Sequence, residues 1–424
     1  MLGIVFVEPH NSRTMKRIFS TALFVALTTN AMAQASYSVI DEHINFTISD
    51  TVKSPQDYGD NGFNFESFTT GINSEYSEIG VCFYRGKFIT YSSRKIGALG
   101  KKDPRTNEPF TKLFCSDVTG DWNLDRPLLF SRILNKNESL GSLTFDKSGT
   151  TVFFTKGVEG NSGVMQLYRA DMSPQKLGKW ENITPLPFNS ESYSVETPHL
   201  APDGKTLYFS SNMPESKGGY DIYMVTLNED GTYGPVQPVP GDINSEADEK
   251  FPHTSVDDKF MYFSSNGHGA IGGYDAYKSR RSPDGFKLVI NLGNTINTKF
   301  DEIAFVPATK KDAYITSNRE GALGGYDIYK ITEFVKLNQV VAGKAMNFDT
   351  GEVLAGARIR LIDTEGYEVA ETTSDANGAY TLPISSFEFY TVIAEIDGYQ
   401  NGVTIFNSDN VTEKFQVDVS LKQD

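Results

Sequence analysis

The chain is poor in the residues on which side-chain chemistry usually depends. Its 424 residues include five histidines, two cysteines and two tryptophans. No G-x-S-x-G, H-E-x-x-H or P-loop pattern occurs, so the common signatures of α/β hydrolases, zinc peptidases and phosphate-binding NTPases are absent. Positive charge is also short: 39 Lys and Arg against 54 Asp and Glu give a net charge of −15. Such a chain does not hold nucleic acid or an anionic lipid surface through bulk electrostatics. No apolar run approaches the roughly 20 residues that span a bilayer. Two cysteines cannot make a disulfide framework.

Aromatic and turn-forming residues are plentiful. There are 29 Phe, 21 Tyr and 37 Gly, a mix that favours strands joined by tight turns. The first 33 residues read differently. Lys16 and Arg17 open a basic start, Ile18 to Leu27 is a short apolar core, and Ala31-Met32-Ala33 is a small-x-small cleavage site. That is the layout of a secretory signal peptide. Met15 is then the expected true start and Gln34 the mature one, and without a following cysteine no lipid anchor is expected. Removing residues 1–33, which carry net +2, leaves −17.

Three segments repeat almost without gaps. They run from Glu196 to Tyr223, Glu249 to Tyr277 and Glu302 to Tyr329, with leading glutamates 53 residues apart. Weaker copies start at Glu78 and Glu138. Each unit has a short first strand and a tight turn such as Asp203-Gly204. An aromatic second strand ending in Ser-Asn follows, then a Gly-Gly loop and a Tyr-Asp third strand. A looser fourth strand lies near Gly234–Pro238. Four strands per unit at this pitch is a propeller blade. The linkers Ile243-Asn244-Ser245-Glu246 and Ile296-Asn297-Thr298-Lys299 reappear as Ile72-Asn73-Ser74-Glu75 before the first unit, while the fifth unit lacks a fourth strand. The segment around Phe63–Thr70 is therefore expected to supply it and clasp the ring. A further partial blade in residues 35–62 would make the count six. Cys82 falls on a first strand and Cys115 on a third, about 9.6 Å apart. A bridge needs Cα atoms within about 7 Å, so two buried free thiols are expected.

At Pro202 to Tyr223 the chain resembles the WD40-like, TolB-type propeller repeat, a resemblance covering about 63–334. From Val341 to Leu361, again at Thr373 to Tyr380, and at Asp397-Gly398-Tyr399, it resembles a carboxypeptidase regulatory-like domain. Alternating apolar positions there (Ala357, Ile359, Leu361; Tyr380, Leu382) independently read as a small antiparallel sandwich. The expected organisation is a signal peptide (1–33), an N-terminal extension (34–62), a five-bladed β-propeller (63–334) and a carboxypeptidase regulatory-like β-sandwich (338–424), all-β throughout. This order is similar to envelope proteins of the Bacteroidota that carry OmpA-like domains or serve type IX secretion and gliding. The chain lacks their helical repeats and OmpA-like part, so peptidoglycan anchoring does not carry over.

Glu78, Glu138, Glu196, Glu249 and Glu302 precede the first strands of all five units. Since first strands line the axis of a propeller, these carboxylates are a candidate ring for an axial cation, with Ca²⁺ the metal that suits hard oxygen ligands. The bland reading has each Glu capping linker N–H groups. The repeated Tyr-Asp pairs and Asn212, Asn266 and Asn318 read as backbone-satisfying. Loop residues that differ between matched units, Met213, Lys217, His268, Ile271, Arg319 and Leu323, are candidates for partner contact. The expected function is a non-catalytic scaffold of the periplasm or outer membrane of a Gram-negative bacterium, binding envelope or outer-membrane proteins. The alternative is capture of a glycan or peptide, which an aromatic cluster at one mouth of the ring would favour. No enzyme, nucleic-acid or membrane-spanning role is expected.

Overall fold

The computed structural model describes residues 63, 65–96, 102–103, 106–131, 134, 140–158, 161–333, 338–364, 366–409 and 411–424. The signal-peptide and extension readings and Glu138 lie outside them. The chain divides into two compact units, Thr51–Leu337 and one holding Asn338–Asp424. Among the described residues every regular element is a strand, and none could cross a membrane as a helix.

Among the described residues the first unit forms five four-stranded antiparallel sheets. After β1 (Phe65–Thr69), sheet 1 is β2 (Glu78–Tyr84), β3 (Lys87–Ser92), β4 (Lys112–Val118) and β5 (Leu124–Leu129). Sheet 2 is β6 (Leu140–Phe145), β7 (Thr151–Val158), β8 (Asn161–Met172) and β9 (Trp180–Pro185). Sheet 3 is β10 (Val195–Leu200), β11 (Thr206–Ser211), β12 (Asp221–Thr226) and β13 (Gln237–Pro238). Sheet 4 is β14 (Glu249–Thr254), β15 (Phe260–Ser265), β16 (Asp275–Ser282) and β17 (Gly285–Asn291). Sheet 5 is β18 (Glu302–Pro307), β19 (Asp312–Ser317) and β20 (Asp327–Glu333). Its fourth strand is β1, paired antiparallel with β20 from Phe65 opposite Glu333 to Thr69 opposite Tyr329. The N-terminal segment thus completes the last sheet and covers an edge that would otherwise be open.

Innermost strands neighbour one another in cyclic order: β2, β6, β10, β14, β18 and back to β2. No single sheet closes on itself among the described residues; four of the five sheet boundaries share one backbone joint. The amide of Glu249 donates to the Tyr220 carbonyl (2.7 Å), Glu302 to Tyr274 (2.5 Å) and Leu140 to Thr111 (3.4 Å). The amide of Glu78 donates to Tyr326 (2.8 Å), which joins sheet 5 to sheet 1. A linker asparagine adds a second tie. Asn244 bonds both backbone groups of Ile222, and Asn297 those of Ala276. Asn73 does the same to Ile328 across 255 residues (2.9 Å each way). Apolar rows of adjacent sheets meet in shared clusters, such as Tyr208, Ile222, Met261, Phe263 and Tyr277 between sheets 3 and 4.

Cys82 and Cys115 both pair with Ile89, from opposite sides of β3. Both are free, but they are half-buried rather than fully buried as expected.

The second unit has β21 (Val340–Asn347), β22 (Arg358–Ile362), β23 (Glu368–Thr373), β24 (Ala379–Pro383), β25 (Phe389–Glu395), β26 (Gly402–Asn407), β27 (Lys414–Gln416) and β28 (Val419–Leu421). They form two four-stranded sheets, β24-β21-β27 with β28 on β21, and β23-β22-β25-β26; β27 and β28 run parallel to β21, so the first is mixed where a purely antiparallel sandwich was expected. Val341 and Ala345 from one, with Ile359, Leu361 and Val392 from the other, share a single core.

Candidate functional site

The first strands carry a β-bulge at the same place in every sheet, marked by register shifts at Gly80/Cys82, Leu140/Leu143, Glu196/His199, Lys250/His253 and Ile303/Val306. Thr197, Phe251 and Ala304 take positive φ of 51°, 55° and 52° there. An extra residue at a bulge re-aims the side chains beside it, so the register on either side decides which carboxylates are alike.

That register divides the described glutamates of the expected ring into two sets. Glu78 pairs with Ser92, Glu249 with Ser265 and Glu302 with Ser317, whereas the matching partner in sheet 3, Ser211, faces Val195. Glu196 lies one residue further on, opposite Ser210, and its equivalent in sheet 4 is Lys250 opposite Ser264. A one-residue slip turns a strand's side chains to the other face. The three equivalent glutamates serve their own linkers. Glu302 accepts from the Thr298 amide (2.6 Å), the Thr298 hydroxyl (2.9 Å) and the Ser317 hydroxyl (2.6 Å). Glu249 does so with Ser245 and Ser265, and Glu78 with Ser74 and Ser92. Burial pushes the Glu78 and Glu302 carboxyls up, against these hydrogen bonds and the nearby Arg94 and Arg319 guanidiniums. Among the described residues no three acidic, His or Cys side chains gather closely enough to hold a metal ion.

The loop residues expected to meet a partner are largely spent on the same joints. Met213 is in the core. The Lys217 ammonium donates to the Asn244 carbonyl (3.1 Å), His268 Nε2 to Ile243 (2.7 Å) and the Arg319 guanidinium to Ile296 (3.0 Å). Ile271 is half-buried, and its amide donates to Asp275. Leu323 is the outward apolar one of the six, 68% exposed. The repeated aspartates accept from Gly-Gly turn amides, for example Asp221 from Lys217 and Gly218. Asn212, Asn266 and Asn318 accept from the amides of Ser194, Asp248 and Asp301.

What the sequence reading missed is a half-buried contact between Glu196 of sheet 3 and Lys250 of sheet 4, with tyrosines within electrostatic reach of its carboxylate. These are Tyr91 of sheet 1, Tyr220 just before β12 and Tyr274 just before β16; Tyr326, just before β20, acts on Tyr91 in the same way. The Lys250 ammonium donates to Glu196 Oε1 at 2.7 Å and sits 3.4 Å from the centre of the Tyr220 ring. The Tyr274 hydroxyl donates to Asp248 (2.8 Å), and that of Tyr326 to Asp301 (2.7 Å), which fixes both rings. Burial raises the Tyr91, Tyr220 and Tyr274 hydroxyls, and the negative charge of Glu196 raises all three further. Deeper in the ring, His199 and His253 lie with ring centres 5.1 Å apart. His253 Nε2 donates to the Val81 carbonyl of sheet 1 (2.7 Å), so side chains cross the interior at that level. The missed signal was Pro198-His199 against Pro252-His253: aligned on that pair, Glu196 falls on Lys250.

Comparison with known proteins adds the following. Residues 340–422 match the family model of the carboxypeptidase regulatory-like domain. No curated protein matches the chain. A putative TolB from Agrobacterium tumefaciens is similar at 15% identity and TM-score 0.35, over 66% of this chain and 88% of that one. A GH43 endo-arabinanase from Bacillus licheniformis is similar at 13% identity and TM-score 0.36, over 65% and 94%. A structure from a study of two prolyl endopeptidases is similar at 14% identity and TM-score 0.32, over 97% and 56%. The expectation that the chain is no enzyme is corrected on this point: glycoside hydrolases and peptidases are among the structures it resembles. At these distances the likeness assigns no activity to this chain.

Proposed function

We propose that the chain is an exported binding protein of the bacterial envelope, built as a five-bladed propeller followed by a regulatory-like β-sandwich, and that it holds a protein partner at the tyrosine-lined mouth of the ring. The observation that carries this is the Glu196–Lys250 ion pair with the Tyr220 ring against the ammonium, a charged contact that suits a protein partner better than a neutral sugar. Tyrosine offers a large apolar face with a polar tip at low entropic cost, which is why it recurs in recognition surfaces. The cyclic contacts of the first strands and the joint from Glu78 to Tyr326 support the propeller reading. The signal-peptide layout supports export to the periplasm or the outer membrane. The resemblance to secretion- and gliding-associated envelope proteins gives the class of assembly to search.

A glycan is the second reading, because the same tyrosine faces would stack on sugar rings. Photo-crosslinking in the native envelope separates the two. A benzophenone side chain at position 274 is expected to capture a defined protein, whereas one at Ile183, on the outer strand β9, captures none. The capture should disappear with Tyr220→Ala. Equal capture from both positions would refute the mouth as the contact. No protein capture, with retention on a polysaccharide array, would favour the glycan.

A further inference from the structure

The ladder position of Glu196 is held in the other sheets by Ile79, Gly141, Lys250 and Ile303. Ile303 is buried, and a Cβ on Gly141 would meet the Thr155 hydroxyl. Those three are residues that close packing of a ring favours. The two charged members fall on adjacent sheets and face each other. Their side chains keep 17% and 18% of their exposure, so the pair is neither sealed in the core nor loose on the surface.

An ammonium seated on an aromatic face and against a carboxylate is a cation-recognition geometry. Here the cation comes from the chain itself. The Tyr220 ring, the Glu196 carboxylate and the surrounding tyrosines would offer an incoming ammonium the same partners that Lys250 now uses. A single carboxylate oxygen and a single ring face suit the compact lysine head better than a guanidinium, which seeks bidentate partners. The pair is not sealed from water, and Lys250 carries its charge on a flexible four-carbon stem.

We propose that Lys250 is a placeholder, and that the seat between Tyr220 and Glu196 receives a lysine side chain of the protein partner. This rests on the mouth being the contact surface. Deposition of a partner lysine displaces Lys250 outward, so the resting chain is self-occupied and discriminates against weak cations.

The test titrates Nα-acetyl-lysine methylamide into the full chain and its variants by calorimetry, with thermal melts in parallel. Lys250→Ala is expected to bind at least tenfold more tightly than the unaltered chain. Lys250→Met, which keeps the stem volume, serves as the second vacated variant and should also bind more tightly than the unaltered chain. Adding Glu196→Gln to either should abolish the gain, and the Nε-acetylated analogue should not bind. If both vacated variants melt as cooperatively as the parent and bind nothing, the pair is only a tie between sheets 3 and 4, and the proposal is overturned. Should the position-274 crosslink persist in that case, the lysine seat alone is wrong and the mouth stands. Loss of both would remove the mouth reading as well.

Discussion

Two bands of first-strand positions lie one residue apart, and their glutamates behave in opposite ways. In the first band, Glu78, Glu249 and Glu302 are buried, and each is held by an amide and hydroxyls of its own sheet and linker. In the second, Glu196 reaches across a sheet boundary to a single lysine and stays partly exposed. The register at the bulge is what sets the two positions apart. A fully satisfied buried carboxylate is part of the joint, and one whose partner is a removable lysine is available for exchange.

The contrast predicts unequal costs. Glu302→Ala strips acceptors from the Thr298 amide and the Ser317 hydroxyl and leaves Arg319 without its carboxylate, which should cost about 3 kcal/mol. Glu302→Gln keeps an acceptor and should cost clearly less. Urea unfolding of the two variants against the parent checks this; equal and small losses would erase the distinction between the bands.

The histidine pair sharpens the comparison from inside the ring. Burial holds His199 and His253 below the usual imidazole range, and His199 Nε2 accepts from the Thr254 amide (3.0 Å), a role only the neutral ring can play. A depressed histidine value means the unfolded chain binds the proton first. Stability from this source is therefore complete above about pH 6.5 and falls below it, by at most about 1.4 kcal/mol per pH unit per histidine. The raised carboxyls of Glu78 and Glu302 act in the opposite sense, since burial disfavours their charged form as pH rises. Denaturation at pH 7.5 and 5.5 should show a net loss in acid that His199→Gln reduces. A slope unchanged by that variant would remove His199 as the cause.

The smallest effect belongs to the second band. Glu196→Gln breaks one partly exposed pair and should change stability by less than about 1 kcal/mol while removing partner capture at the mouth. A melting shift as large as that of Glu302→Ala would make Glu196 a joint residue too.

Much of this architecture could be read along the chain. The repeat, the tight hairpin turns, the β1 strand completing sheet 5 and the local duties of the Tyr-Asp aspartates follow from spacing and turn chemistry. The grouping of glutamates did not follow. Aligning on the carboxylates themselves hid the one-residue offset at Val195, and a bulge leaves little trace in a strand's alternation. Nor could the loop residues be read as joints, because Lys217, His268 and Arg319 reach linker carbonyls more than twenty residues away.

Sequence alone determined that this protein is built from repeated four-stranded units and a second β unit, because hydrogen-bonding period and turn residues act locally. Only the tertiary structure decided which side chains meet across sheets. Glu196 and Lys250 are 54 residues apart in the chain, and they meet because joints between sheets, not neighbouring residues, set their distance.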